Sequence, residues 1–426
     1  MYNRINTTLG GILLLFLLFS LSISAQSYTI ESCQEKAKAN YPLVKQYDLI
    51  EQTAQYNISN ANKGYLPQLS LSARGTYQSD VTSLPIKIPG MSIPALTKDQ
   101  YQASIEATQV LWDGGVISAQ KKITNASTEI EKKKLEVDLF ALNERVNQLF
   151  FGILLLKEQI AQTAILQSEL NTNLGKVKSL VQNGVANQAD IDAIQVEIIN
   201  VSQRETELKS TSKAYLIMLS AMTAVEITDA TQLTKPKTDL AIATDTTNNR
   251  PELSLFEAQN KLYESQKSLL NAGNLPKLLL FAQGGYGKPA LNMLSNEFST
   301  FYIGGVRLAW NFSGLYTQKN NIEKLEVSKK TVDIQKETFL FNTNLRTKQQ
   351  QTEIEKIKSL ISNDDEIIRL RENIKKAATA KVENGTLTVT DLIREINAEN
   401  QAKQVKALHE TQLTMTVYQL KNNINQ

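Results

Sequence analysis

From Leu66 to Gln78 apolar and polar residues alternate strictly, with Leu69, Leu71, Ala73, Gly75 and Tyr77 on one side and Gln68, Ser70, Ser72, Arg74 and Thr76 on the other. Residues 101–108 repeat the pattern, setting Tyr101, Ala103, Ile105 and Ala107 against Gln102, Ser104, Glu106 and Thr108. A period of two is the strand signature, and it predicts a β-hairpin within 66–112. The same alternation recurs more weakly at 277–287 and 301–312, where both faces are partly apolar, and predicts a second hairpin within 275–312. Tyr65, Tyr77, Tyr101, Trp112, Tyr286, Tyr302, Trp310 and Phe312 lie along these strands or at their ends. Two hairpins on a soluble core would read this way. So would lipid-facing strands with aromatic girdles and a polar lumen.

Between the hairpins the period changes. No proline occurs between Pro94 and Pro236, nor after Pro289. Leu135, Leu139, Leu142, Val146, Leu149, Ile153, Leu156 and Ile160 follow a 4-3-4-3 rhythm that resumes at Leu170, Leu174, Val177 and Val181. That repeat predicts a left-handed coiled coil over 116–182, about 100 Å long at 1.5 Å per residue. Leu325, Val332, Leu345, Ile354, Ile357, Ile361 and Ile374 mark a looser counterpart over 316–382. Gly184 and Gly385 end these helices, since glycine readily takes the left-handed conformation of a helix terminus. Returning helices follow at 188–222 and 387–422. A further helical stretch, cut only by Pro42, runs from 28 to 63.

The chain is internally repeated. Tyr41-Pro42-Leu43 matches Arg250-Pro251-Glu252-Leu253, and the same offset places Leu66-Pro67-Gln68-Leu69-Ser70-Leu71 on Leu275-Pro276-Lys277-Leu278-Leu279-Leu280. Leu111-Trp112-Asp113-Gly114 falls opposite Asn311-Phe312-Ser313-Gly314, and Val181-Gln182-Asn183-Gly184 opposite Val382-Glu383-Asn384-Gly385, each glycine preceding Asp190 or Asp391 by the same spacing. Four matches in order predict a duplication. The first repeat is 26–222, a Thr/Asp/Asn-rich linker follows at 223–249, and the second repeat is 250–426.

Residues 1–25 combine Arg4, an apolar run from Leu9 to Ile23 and the small-residue exit Ser22-Ile23-Ser24-Ala25, the pattern of a cleaved secretory signal. No second long apolar run is evident downstream, so the pattern predicts no spanning helix in the mature chain and leaves closed β-barrels as the route through a bilayer. Composition narrows the function. With 46 Lys+Arg against 43 Asp+Glu, the net charge of +3 offers no electrostatic case for nucleic acid. The chain's one Cys, Cys33, and one His, His409, cannot form a disulfide or a structural zinc site, and they read as ordinary helix residues. No phosphate loop, acid pair or metal cluster stands out, so the expectation is a non-enzyme with no catalytic residues, cofactor or metal.

Four strands per chain cannot close a barrel, and lipid does not tolerate an open edge. Two copies would give eight strands with a filled lumen, whereas three would give twelve with room for a channel. The fold class expected is mainly α with transmembrane β: long antiparallel coiled-coil helices forming an α-barrel, plus a trimeric 12-stranded β-barrel, internally duplicated. The arrangement resembles the TolC-like outer-membrane efflux protein family. The resemblance is carried by Asn62-Lys63-Gly64-Tyr65-Leu66-Pro67 entering the first strand, Leu111-Trp112-Asp113-Gly114-Gly115 leaving the second, and the two glycine-to-aspartate tips. It implies a homotrimer in outer-membrane lipid, continuous with a periplasmic tunnel, docking a periplasmic adaptor (membrane fusion) protein and an inner-membrane transporter to export drugs or other substrates. The second repeat departs from the family pattern at Trp310-Asn311-Phe312-Ser313-Gly314.

The barrel lumen is expected to be lined by Gln68, Ser70, Ser72, Arg74, Thr76, Ser104, Glu106 and Thr108. Asp190, Asp192 and Asp391, with Arg394 one turn on, are candidates for a charged periplasmic entrance. They would serve equally as caps of the returning helices. Val181, Gly184 and Val185, with Val382, Gly385 and Leu387, mark the tips as the adaptor-docking surface. Arg145, Glu144 and the Lys132–Lys134 run read as solvated coil surface. The competing class is a secreted or periplasmic coiled-coil structural or adaptor protein without a membrane barrel.

Overall fold

The computed structural model describes residues 27–82, 96–236 and 248–425. The leader 1–25, most of the 82–99 loop and part of the 223–249 linker lie outside them. In chain order the elements are β1 (Ser27–Tyr28), α1 (Ile30–Asn40), a 3-10 turn at Pro42–Lys45, α2 (Gln46–Asn62), a second 3-10 turn at Lys63–Tyr65, β2 (Gln68–Tyr77) and β3 (Asp99–Trp112). Next come α3 (Val116–Phe140), α4 (Leu142–Gln182), α5 (Gln188–Thr223) and β4 (Gln232–Leu233). The rest comprises α6 (Pro251–Gly273), β5 (Lys277–Lys288), β6 (Ser299–Ala309), α7 (Ser313–Glu383) and α8 (Val389–Ile424).

Local chemistry explains the boundaries. Pro42 forces Tyr41 into extended backbone (φ −67°, ψ 130°), so α1 stops at Asn40 and the chain restarts as a 3-10 turn. The helix expected over 116–182 is interrupted at Ala141, whose φ of −61° and ψ of −20° keep the path helical. Asp113, nearly buried, accepts the backbone N–H of Gly115 (2.9 Å) and Ile117 (2.6 Å) and so starts α3. In the second repeat the strand expected to reach 312 ends at Ala309. Asn311 takes the N–H of Ser313 (3.0 Å) and opens α7 early, while the Trp310 indole donates to the Asn274 carbonyl (3.0 Å) and packs on Phe312.

The elements group into two compact units, each drawing on segments from both halves of the chain. One contains the Lys45–Val137 and Pro251–Phe341 segments. Its centre is a single antiparallel sheet in the order β2-β3-β5-β6, with a bulge between Val110 and Trp112. Beside it Lys132 of α3 pairs with Glu51 of α2 (2.6 Å), and Lys329 of α7 with Glu264 of α6 (2.5 Å). Lys132 is thus a surface link between two helices.

The other unit packs α1, α4, α5, α8 and the later part of α7. Its main core joins Ile30, Cys33 and Ala37 of α1 to Val146, Phe150, Phe151 and Ile153 of α4 and to Leu216 and Leu219 of α5. The path Val116–Gln182 is long and apolar enough to cross a membrane by length and composition, contrary to the sequence expectation. Within that path Phe150, Phe151 and Ile153 are buried in this core. The linker adds β4, which pairs in parallel with β1, and Lys157 of α4 donates to the carbonyls of Asp229 and Thr231 (3.2 and 3.0 Å). Gly152 sits face to face with Tyr215, where a Cβ would come within 2.6 Å of the ring. Gly152→Ala should therefore lower stability by roughly 1–3 kcal/mol, read as a lower midpoint in thermal loss of helical circular dichroism. Combining it with Tyr215→Ala should cost less than the two changes summed.

Candidate functional site

The sheet has two chemically distinct faces, set by register. Gln68, Ser70, Ser72, Arg74 and Thr76 stand opposite Thr108, Glu106, Ser104, Gln102 and Gln100. The polar set expected for the lumen therefore shares one face. Ser72 and Ser104 hydroxyls meet at 3.1 Å, Arg74 donates to Gln102 (3.2 Å) and Thr108 to Glu106 (3.2 Å). Two members depart from the expectation. Ser104 is buried, because Gln283 donates to it from β5 (2.9 Å), so it supports the wall instead of lining it. The Gln68 amide folds back onto the carbonyls of Lys63 and Leu66.

Further along the same face the chemistry changes. Phe281 and Phe301 lie over Gly305 and Gly285 of the neighbouring strands; a Cβ would collide with Phe301 at Gly285 (2.5 Å) and crowd Phe281 at Gly305 (3.2 Å). Arg307 stacks on Phe281 at 4.6 Å and approaches Glu106 at 3.6 Å. These aromatic residues were missed; the detectable signal was an aromatic placed opposite a glycine in strand register. The opposite face is apolar. Leu69, Leu71 and Tyr302 are 75%, 77% and 86% exposed, with Ile105, Val306 and Leu308 beside them, a surface no water-facing sheet would favour.

At the tips Gly184 and Gly385 take φ of 73° and 68°, turning the chain back. Asp190 caps α5 reciprocally with Asn187: Asn187 N–H donates to the carboxylate (3.0 Å) and Asp190 N–H to the Asn187 side chain (3.3 Å). Asp391 plays the same part in α8 with Thr388, whose hydroxyl donates to the carboxylate (2.7 Å) and accepts the Asp391 N–H (3.1 Å). Arg394 pairs with Asp391 at 3.2 Å and offsets its charge, whereas Asp192 is met only by the neutral amide of Gln188 (2.8 Å) among the bonds seen here. A groove of about 360 Å³ separates the two turns, lined by Val185, Asn187, Leu387 and Thr388. Val185 is exposed, Leu387 and Val181 are half-buried, and Gly184 and Gly385 are open to solvent. Val382 is not available for docking. Although it borders the groove, it is buried with Val389, Leu392 and Ile396 in the core that joins the two helix pairs.

A second group of residues escaped the sequence reading. Lys375 of α7 pairs with Glu169 of α4 (2.7 Å) and with buried Glu399 of α8 (2.5 Å), and Lys403 joins Glu399 (2.6 Å) to Glu372 (3.3 Å). Burial alone would raise the Glu399 pKa, but hydrogen bonds from Lys375 and Lys403 and their charges hold it below the ordinary value. His409 donates or accepts at Asp364 (2.6 Å), again between α8 and α7. Burial pushes the Cys33 thiol up to about 11, so it is inert. Among the described residues no group of three or more His, Cys, Asp and Glu side chains is placed to hold a metal ion.

Long paired helices with one four-stranded meander are also the fold of solved outer-membrane channels. Residues 34–225 match the family model described as outer membrane efflux protein. No curated protein matches the chain in sequence. VceC of Vibrio cholerae shares the fold at a TM-score of 0.65 and 12% identity, over 93% of this chain and 95% of its own. A membrane protein from Pseudomonas aeruginosa does so at 0.67 and 13%, over 93% and 90%. The MtrE outer membrane channel of Neisseria gonorrhoeae, solved in an open state, follows at 0.64 and 11%, over 93% and 88%. The resemblance to TolC-like outer-membrane efflux proteins is borne out, by sequence pattern in the first repeat and by fold across most of the chain.

The ion network makes a prediction. Because the Glu399 pKa is depressed in the folded state, its stabilisation is full above the unfolded carboxylate value of about 4.3 and is lost as pH falls through the lowered one. Glu399→Gln should cost about 2 kcal/mol at neutral pH. Its melting midpoint should also fall less on acidification, so that the two proteins converge at low pH.

Proposed function

We propose that the chain is the outer-membrane channel of a tripartite export system, passing drugs or other substrates from an inner-membrane transporter and a periplasmic adaptor to the exterior. The observation that carries this is the sheet: among the described residues it has four strands, unpaired at β2 and β6, apolar on one exposed face and polar on the other. Three copies joined edge to edge would close twelve strands around a wet lumen. The internal duplication then places two hairpins per subunit in that wall and two helix pairs in the periplasmic tunnel. Neighbouring copies would also cover the apolar residues that α7 leaves exposed, among them Ile334, Phe341, Leu345 and Ile374. The tip groove is the adaptor surface, built from Val185 and Leu387 around Gly184 and Gly385, and Asp192 supplies the uncompensated negative charge of the entrance.

A secreted coiled coil without a barrel is less favoured, because it leaves the exposed Leu69, Leu71, Val306 and Leu308 face without a partner. Extracted from outer membranes in detergent, the protein should have the mass of three chains; a stable, water-soluble monomer would refute the channel. Cells lacking it should become more sensitive to toxic compounds or lose secretion of a cargo. In planar bilayers Asp192→Asn should lower the cation-to-anion permeability ratio, while Asp391→Asn should leave that ratio nearly unchanged, since Arg394 already offsets the Asp391 charge.

A further inference from the structure

The β5–β6 connection, residues 289–298, carries Leu291, Met293, Leu294 and Phe298, all large and exposed. Its direction is set by two contacts. Phe298 stacks on Tyr286 of β5 (centroids 5.4 Å, 18° between planes) and reaches past that strand to Tyr101 of β3 (6.3 Å, 27°). Asn296 accepts both the N–H and the hydroxyl of Thr97, just before β3 (3.1 and 3.0 Å). The connection is therefore bent back across β5 toward β3.

Register decides which face it crosses. Tyr101 pairs with Gly75 and Lys288, and Tyr286 with Ala103 and Thr300. Both tyrosines share the face of Leu69, Leu71 and Ile105, opposite to Arg74, Ser104 and Glu106. The loop is pinned to the apolar outer face, away from the polar one. Leu291, Met293 and Leu294 are exposed on the same connection, next to an aromatic cluster of the type found where barrels meet headgroups.

We infer that the β5–β6 connection is a membrane foot: it lies against the outer leaflet with Leu291, Met293 and Leu294 in the acyl–headgroup boundary, and Phe298 clamps it there. The inference rests on the channel reading, which makes the apolar face lipid-facing. It assigns a lipid surface, rather than the mouth of the pore or another protein, as what this loop touches.

The test uses the full chain, purified as its oligomer and reconstituted in phosphatidylethanolamine–phosphatidylglycerol vesicles. A nitroxide is placed at Met293→Cys, with Leu71→Cys on the mid-sheet face as reference; buried Cys33 should take no label. Collision of each label is measured with oxygen, which concentrates in lipid, and with a neutral nickel chelate, which stays in water. The expected result is collision with oxygen exceeding that with nickel several-fold at both positions, and a return of nickel collision at Met293→Cys when Phe298→Ala is added. A Met293→Cys label open to nickel, or shielded from both probes by protein, while Leu71→Cys remains oxygen-rich, overturns the foot and leaves the channel standing. A nickel-accessible Leu71→Cys overturns the channel reading and the foot with it. Leu291→Cys repeats the measurement if Met293→Cys fails to assemble.

Discussion

Backbone hydrogen bonding at the edges of the four-stranded sheet is the constraint on which the rest of the molecule depends. Among the described residues β2 and β6 each present a row of N–H and C=O groups with no strand beside them. In water such edges invite aggregation, and in hydrocarbon each unpaired group costs several kcal/mol. The sheet's apolar face excludes the first environment as a resting place, and its open edges exclude the second for a single copy. On the proposed channel, union with other copies would satisfy both, and subunit assembly and membrane residence would be one requirement. The exposed apolar residues of α7, from Ile334 to Ile374, belong to the same logic, since a helix with such a face is complete only against neighbours.

The helices face a different difficulty. A regular heptad pattern lets one helix slide against another by a turn at modest loss, and α7 has the sparser pattern. Buried charge removes that freedom. Lys375 reaches Glu169 and Glu399 together, tying α4, α7 and α8 at a single register, and His409 with Asp364 adds a second tie between α7 and α8. Such groups seldom add much net stability over apolar packing, but misregistering them strands a charge in the interior. The network's value is thus in specifying which residues meet.

What could be read from the sequence followed from periodicity. Alternation placed Gln68 to Thr76 and Ser104 to Thr108 on a common face because a strand's geometry admits only two sides. Glycines at 184 and 385 marked the turns because they alone suit φ near +70° without strain. Where a residue's partner lies far along the chain, pattern fails. Val382 looks like an exposed tip residue until Val389 and Ile396 fold back over it. Glu169, Lys375 and Glu399 each look like solvated coil charge, because nothing local distinguishes a charge facing water from one facing another helix. Trp310 and Phe312 continue the alternation of β6, yet Asn311 captures a backbone donor and starts a helix before the pattern ends.

The polar face of the sheet also carries aromatics. Phe281 and Phe301 each lie flat over a glycine of the adjacent strand, so their rings occupy the volume where that strand has no side chain. Arg307 is held between Phe281 and Glu106, and Arg74 is turned onto Gln102, so both guanidinium groups are committed to the wall. The result is a surface of short hydroxyls, amides, rings and paired charges. Water-soluble and apolar solutes both find something to slide past and little to bind. If the face lines a conduit, discrimination among cargoes falls to whatever loads it.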